Sequence, residues 1–295
     1  MLELIPQPAI VIFDYSGTLS LEAPRFARPE SLVQALAETG LAALGIATPE
    51  AYWDKIVSPT WKEGSTTTAG YRKVMAERIR SLGYAQGILE KEIEAAASRF
   101  VGRYLAHSRI DPHWRPLLTH LSSRRDTIPI IATDHYAEAT EAIIGFLRAW
   151  NIPAFRIGKK GGTAPQFFPG TGRMKIGALS PYFLANSADL GAWKEDRRFW
   201  ESVKKELSLG ALRQIILIDD FGFNEQAGDR YGERTATALR QERTIALLQE
   251  VFQTGAEVIP FRLEEGPRTS EDAAARLIAK TAARIDILLT MGAES

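Results

Sequence analysis

The chain reads as an α/β protein, a Rossmann-like parallel sheet core carrying an α-helical insert. Three observations predict it. Residues 9–13 (Ala-Ile-Val-Ile-Phe) form an unbroken apolar run that stops at Asp14, the pattern of a strand buried on both faces. Residues 127–133 and 214–219 repeat the pattern and also end on polar groups, Thr133 and the pair Asp219 and Asp220. Helical periodicity instead fills most of residues 22–110, a stretch too long for a simple connection. The expected division is a core from 1–21 and 111–295 and a helical unit over 22–110.

With 295 residues there is material for one large domain or two ordinary ones. Thirty-six basic residues balance 36 acidic ones, so neither nucleic acid nor an anionic membrane is expected as a partner. The absence of cysteine excludes thiol nucleophiles, disulfides and thiolate metal sites. No run approaches the roughly 18 apolar residues of a membrane span. Residues 1–8 have neither the basic region nor the apolar segment of a signal peptide, so a cytoplasmic protein is expected.

Taken in order, the text after Ser20 is irregular through Pro24 and Pro29. Apolar residues three and four apart then predict helices over 30–44, 49–56, 69–82 and 89–107. Residues 58–69, rich in hydroxyls and holding Trp61 and Lys62, are expected as a loop. From 111 onward strands and helices alternate. A helix to about 123 leads to the strand over 127–133, where Pro129 implies an irregular start or a bulge. A helix over 136–150 takes Asp134 as N-cap, and a short strand over 153–157 follows. Residues 158–191, with Gly161, Gly162, Gly170 and Gly172, fit a β-hairpin or an extended loop. A helix starts at Lys194 and runs to about 207, with Trp193 and Trp200 read as exposed aromatics. Beyond the strand over 214–219 come a loop over 221–229, a long helix over 234–254 and a fifth strand over 257–261. The last helix, over 270–289, has an acidic first turn that suits its macrodipole.

In a parallel sheet the carboxyl ends of the strands share one edge, where open α/β sheets place ligands. Asp14, Thr133, Asp219 and Asp220 end three strands, and Lys194 precedes the last of these by one helix, which returns it to that edge. Singly, each has an ordinary explanation as a cap, a turn residue or a solvated lysine. Jointly they make coherent chemistry. Adjacent carboxylates repel unless a cation or a donor compensates, and Mg²⁺ is a hard ion that prefers oxygen. Mg²⁺ held by Asp14 and Asp220 would screen a phosphoryl group from an attacking carboxylate. Thr133 and Lys194 would then hold the remaining phosphoryl oxygens, and Asp14 would act as nucleophile through an aspartyl-phosphate. No Gly-x-Gly-x-x-Gly or Walker loop follows a candidate strand, which disfavours nicotinamide and P-loop readings.

The run Asp14-Tyr15-Ser16-Gly17-Thr18-Leu19 resembles the first motif of the haloacid-dehalogenase-like (HAD) superfamily. Thr133 resembles the second motif, Lys194 the third, and Asp219 and Asp220 with Asn224 the acidic fourth, all in the family's order. The resemblance implies a HAD-like core over roughly residues 8–20 and 111–262, with 22–110 as a mobile cap. It also implies Mg²⁺ held by Asp14, the backbone carbonyl of Ser16 and Asp220, with Asp219 or Asn224 completing the set. A small phosphorylated metabolite is the implied substrate.

Two positions depart from the family's phosphatases. Ser16 stands where they carry a second Asp as general acid and base, and Asn224 where an Asp is usual. General acid help is worth about 10²–10⁴-fold, and a serine is too weak an acid to supply it. His135 and His113 are alternative donors. Lys62, Thr66, Thr67 and Thr68 are candidate substrate contacts from the helical unit. Three other readings stay open: a phosphonatase-like C–P hydrolase with Lys55 as Schiff base, a metal-free dehalogenase, and a catalytically weak binding or scaffold protein that kept the phosphate pocket.

Overall fold

The computed structural model of the protein describes residues 7–83, 87–158, 180–225, 234–263 and 271–291. Within them a single all-parallel sheet runs in the order β3-β4-β2-β1-β5-β6. Its strands are β1 (Ala9–Phe13), β2 (Thr127–Thr133), β3 (Ala154–Arg156), β4 (Tyr182–Asn186), β5 (Gln214–Asp219) and β6 (Ala256–Pro260). The apolar runs of β1 and β2 are buried along their whole length, as strands covered on both faces must be. Ala9, Val11 and Phe13 pack against α7 (Arg115–Ser123), α8 (Glu138–Ala149) and α12 (Glu271–Met291). Ile10 and Ile12, one step out of phase, pack against α10 (Arg197–Glu206) and α11 (Arg234–Phe252).

The ladder departs from expectation at two points. Pro129 causes no bulge: the register runs continuously from Ala9↔Thr127 to Phe13↔Ile131. The proline lies where β2 pairs with β1 alone, since β4 joins only from Ile130, so no second ladder is interrupted there. β4 itself was not anticipated. It is five residues long, fully buried, and wedged between β2 and β3, where a hairpin or loop was expected. Residues 159–179, the rest of that stretch, lie outside the described residues.

The described residues between 22 and 107 form α1 (Glu22–Phe26), α2 (Pro29–Thr39), α3 (Pro49–Tyr52), α4 (Ser58–Thr66), α5 (Tyr71–Ser81) and α6 (Glu90–His107). They bury an apolar cluster of their own, including Leu36, Ile56, Met75 and Phe100, with Tyr136 entering it from the loop after β2. The expected loop over 58–69 is instead the helix α4. A π-helical turn, Trp53–Val57, carries α3 into it without a break. Pro59 brings no N–H to this continuous stretch, and the carbonyl of Lys55, four residues before it, accepts from Arg78 Nε at 2.7 Å instead. The hydroxyls that read as loop formers fold back on the helix: Thr60 donates to the Ile56 carbonyl at 2.6 Å and Ser65 to that of Trp61 at 2.6 Å. No helix among the described residues is long and apolar enough to cross a membrane.

The helical unit lies close on the core at Gly64. A Cβ there would stand 2.3 Å from the Tyr136 ring, which is itself stacked on Tyr71 at 3.8 Å. Gly64→Ala is therefore expected to lose stability. Overpacking costs about 1–3 kcal/mol, more than the gain of up to ~1 kcal/mol from helix propensity. Denaturant unfolding measures the balance, and an unchanged or raised midpoint would contradict the contact.

Candidate active site

Four of the anticipated side chains meet at the carboxyl edge of β1 and β5. Asp14 follows β1 directly, Asp219 closes β5, and the pairing Phe13↔Ile218 brings the two ends level. Carboxylate oxygens of Asp14, Asp219 and Asp220 lie within 4.8 Å of one another. The Lys194 ammonium donates to Asp14 Oδ1 at 2.5 Å and to Asp219 Oδ2 at 2.9 Å. All four residues are buried.

Local contacts explain how Lys194 gets there. It does not begin α10, as expected. That helix starts at Arg197 behind the N-cap Asp196, whose side chain accepts from the Arg198 N–H. Lys194 sits in the preceding loop, its N–H donating to Asp134 Oδ1 at 2.9 Å and its carbonyl accepting from Trp200 Nε1 at 2.8 Å. Asp134 thus holds the lysine loop and is not the N-cap of α8, which is Ala137. Trp200 is buried, not the exposed aromatic expected. Trp193 is partly buried and donates to Ser65 Oγ of α4 at 2.8 Å.

The charges do not balance within the cluster. Three buried carboxylates face one ammonium. Burial raises the Asp14 pKa to about 7; Lys194 pulls it down and Asp219 adds to the rise. Asp220 is pushed well above the ordinary range, first by burial and then by the charges of Asp14, Glu225 and Asp219. The two acids of the pair differ in their partners. Asp219 accepts from Lys194 with one oxygen and from the Phe221 N–H at 2.6 Å with the other, so it holds the lysine and the loop. Asp220 accepts from the Asn224 N–H at 2.8 Å. Gly17, at φ +76°, lets the β1 loop lie against it: a Cβ there would be 2.5 Å from Asp220 Oδ2.

Asn224, anticipated as a metal ligand, has its amide turned to backbone. It donates to the carbonyls of Gly17 at 2.7 Å and Phe261 at 2.9 Å, and accepts from the Leu263 N–H at 2.9 Å. It ties the β1 loop to the end of β6. Ser16 donates to Glu225 Oε1 at 2.7 Å. Glu225 was missed, because one acid in a polar loop carries no pattern to single it out.

Asp14, Ser16 and Thr133 line a cavity of about 360 Å³ whose other wall comes from the helical unit, with Phe26, Tyr52, Trp53 and Trp61 among its residues. Lys62 is exposed and does not line it, nor do Lys55, Thr66, Thr67 or Thr68. His113 is exposed, bonded to Asp111, and likewise outside the lining. His135 does line it, paired with the Tyr104 hydroxyl at 2.9 Å, and burial lowers its pKa to about 4, so the ring is neutral near pH 7.

These shifts give a pH test. With Asp14 raised from 3.8 to about 7, the folded protein keeps a proton that the unfolded chain has released between those values. The stability this contributes is complete below the unfolded value and lost as pH rises through about 7. His135 shifts the other way, and its effect ends above its unfolded value of 6.5. In chelator, therefore, the melting temperature is expected to fall between about pH 6.5 and 8.5, and millimolar Mg²⁺ to recover it at the upper end. A melting temperature that rises over that range, or ignores the cation, would contradict the unbalanced cluster.

No family model matches the chain, and no curated protein matches it. Among solved structures it is similar to a 2-haloacid dehalogenase from Pseudomonas syringae pv. tomato DC3000, at 14% identity over 92% of this chain and 99% of that one, with TM-score 0.49. A haloacid-dehalogenase-like family hydrolase from Xanthomonas campestris aligns at 16% identity over 94% of both chains, with TM-score 0.45. The HAD-hydrolase YfnB from Bacillus subtilis, bound to magnesium, aligns at 12% identity over 89% of this chain and 90% of that one, with TM-score 0.42.

Proposed function

We propose that the chain is a Mg²⁺-dependent phosphoryl hydrolase that works through an aspartyl-phosphate on Asp14, with residues 22–110 as a cap over the site. The observation that carries this reading is the buried excess of carboxylate around Lys194 at the sheet edge. The donor set fits Mg²⁺: Asp14, Asp220 and the Ser16 carbonyl would hold it, and all are hard oxygens. When bound, the ion would lower the pKa of both carboxylates and neutralise phosphoryl charge.

The chain's own residues supply the rest. Asp14, held by Lys194, attacks phosphorus; the new Oδ–P bond forms as the ester P–O bond breaks, and the leaving alkoxide takes a proton from solvent water to depart as the alcohol. Water then attacks the phosphorus and releases inorganic phosphate and the free carboxylate. Lys194 stays close to the reacting oxygen throughout and offsets negative charge there. Thr133 lines the same cavity and offers a hydroxyl to the phosphoryl group. Ser16 cannot protonate the leaving alkoxide. Its partner Glu225 places a carboxyl beside it, where the phosphatases of the resembled family keep an aspartate.

The competing readings have less support. A Schiff-base phosphonatase needs a lysine in the cavity wall, and among the described lining residues there is none. A metal-free dehalogenase leaves the excess of carboxylate without purpose. The test is a panel of phosphate esters, acyl phosphates and phosphonates, with and without Mg²⁺, on the wild-type protein and Asp14→Asn. Mg²⁺-dependent ester hydrolysis that falls at least about 10³-fold in Asp14→Asn is expected. Turnover that survives the substitution would rule out the covalent route, and no turnover of any member would favour the binding or scaffold reading.

A further inference from the structure

The cavity beside Asp14 has two chemically different walls. On the sheet side are the charged groups: Asp14, Asp134, Glu195, Glu225 and Arg240 all line it. The lining residues from the helical unit are neutral without exception among those described. Tyr52, Trp53, Trp61, Tyr71 and Tyr104 dominate that wall, joined from the core by Tyr136 and Trp193.

Several of the polar atoms on this wall already have partners. The hydroxyls of Tyr52 and Tyr71 bond to each other, the Tyr104 hydroxyl pairs with His135 Nε2 at 2.9 Å, and Trp193 Nε1 donates to Ser65. Ring faces are engaged as well: Tyr71 stacks on Tyr136 with 7° between planes, and Trp61 meets Tyr136 edge-on at 89°. Such a wall offers a ligand mainly aromatic faces and a few indole N–H donors. A sugar seated among these rings would meet few hydrogen-bond acceptors, and each unpaired buried hydroxyl is costly. A second phosphate would find no lysine or arginine on that side.

The geometry points to a substrate whose phosphoryl group faces Asp14 and whose body is a neutral, apolar group of about one aromatic ring seated between these side chains. This rests on the phosphoryl reading above and adds the class of alcohol. Size agrees: a dry cavity of about 150 Å³ holds benzene, so about 360 Å³ has room for one ring, a short linker and the phosphoryl group. A quaternary ammonium is the main competitor for an aromatic wall, and it is built into the test as a rival.

The experiment compares three monoesters of alkyl alcohols, so that leaving-group reactivity does not decide: 2-phenylethyl phosphate, glycerol phosphate and phosphocholine. With Mg²⁺, kcat/KM for 2-phenylethyl phosphate is expected to exceed the other two by at least about tenfold. Calorimetric titration with the free alcohols, 2-phenylethanol, glycerol and choline, reads the wall without any chemistry. There 2-phenylethanol is expected to bind best, weakened at least about tenfold by Trp61→Ser and largely restored by Trp61→Phe. Preference for glycerol phosphate or phosphocholine, or equal binding of the three alcohols, would overturn this inference and leave the phosphoryl reading intact. Tight binding of 2-phenylethanol with no ester turned over would do the reverse.

Discussion

The contact on which the rest depends is the Lys194 ammonium set between Asp14 and Asp219, at 2.5 and 2.9 Å, deep under the edge of the sheet. Taking ions out of water costs several kcal/mol each even after relaxation. One ammonium cannot offset three carboxylates, and the surplus falls on Asp14 and Asp220. A fold optimised for stability alone would not assemble such a cluster. Its neighbours nonetheless hold it in place: Asp134 and Trp200 fix the lysine loop, Gly17 lets the β1 loop close on Asp220, and Asn224 ties that loop to the end of β6. So much backbone order around an uncompensated charge is what a preorganised ion and anion site requires.

The sheet and the helical unit contribute opposite properties. Parallel strands bring charge to one edge, since each carboxyl end arrives there whatever the sequence separation. The helices bring neutral aromatic surface, with Trp61, Tyr71 and Tyr136 packed on one another where α4 meets the core. Apolar surface beside the site lowers the local dielectric, so each charge near Asp14 acts more strongly than it would in water. Chemistry on one side and discrimination on the other is the division of labour this arrangement supports.

Much of the charged cluster was legible because it sits at strand ends. A buried parallel strand is a local pattern, and what terminates it is read directly: Asp14, Thr133, Asp219 and Asp220 needed no tertiary knowledge. Lys194 followed from counting one helix back. Other features were not legible, for identifiable reasons. β4 is five residues long, and no longer apolar run marks it in its stretch. Residues 58–66 contain Pro59 and several hydroxyl residues, whose local signals oppose a helix until a preceding turn and back-bonded side chains are known. Asn224 matched a motif position, yet its contacts are to the backbone of Gly17, Phe261 and Leu263, all distant from it in the chain. The aromatic wall draws on α1, α3, α4, α5 and α6 and on loops of the core, and no sequence window contains it.

The central claim is that the surplus of carboxylate at residues 14 and 220 exists to hold a divalent cation. Electron paramagnetic resonance of Mn²⁺, titrated as a stand-in for Mg²⁺ into the wild-type protein and Asp220→Asn, measures this without reference to any substrate. The account predicts one site in the wild-type protein and at least about tenfold weaker binding in the variant. Equal binding by the two proteins, or none by the wild type, would contradict it.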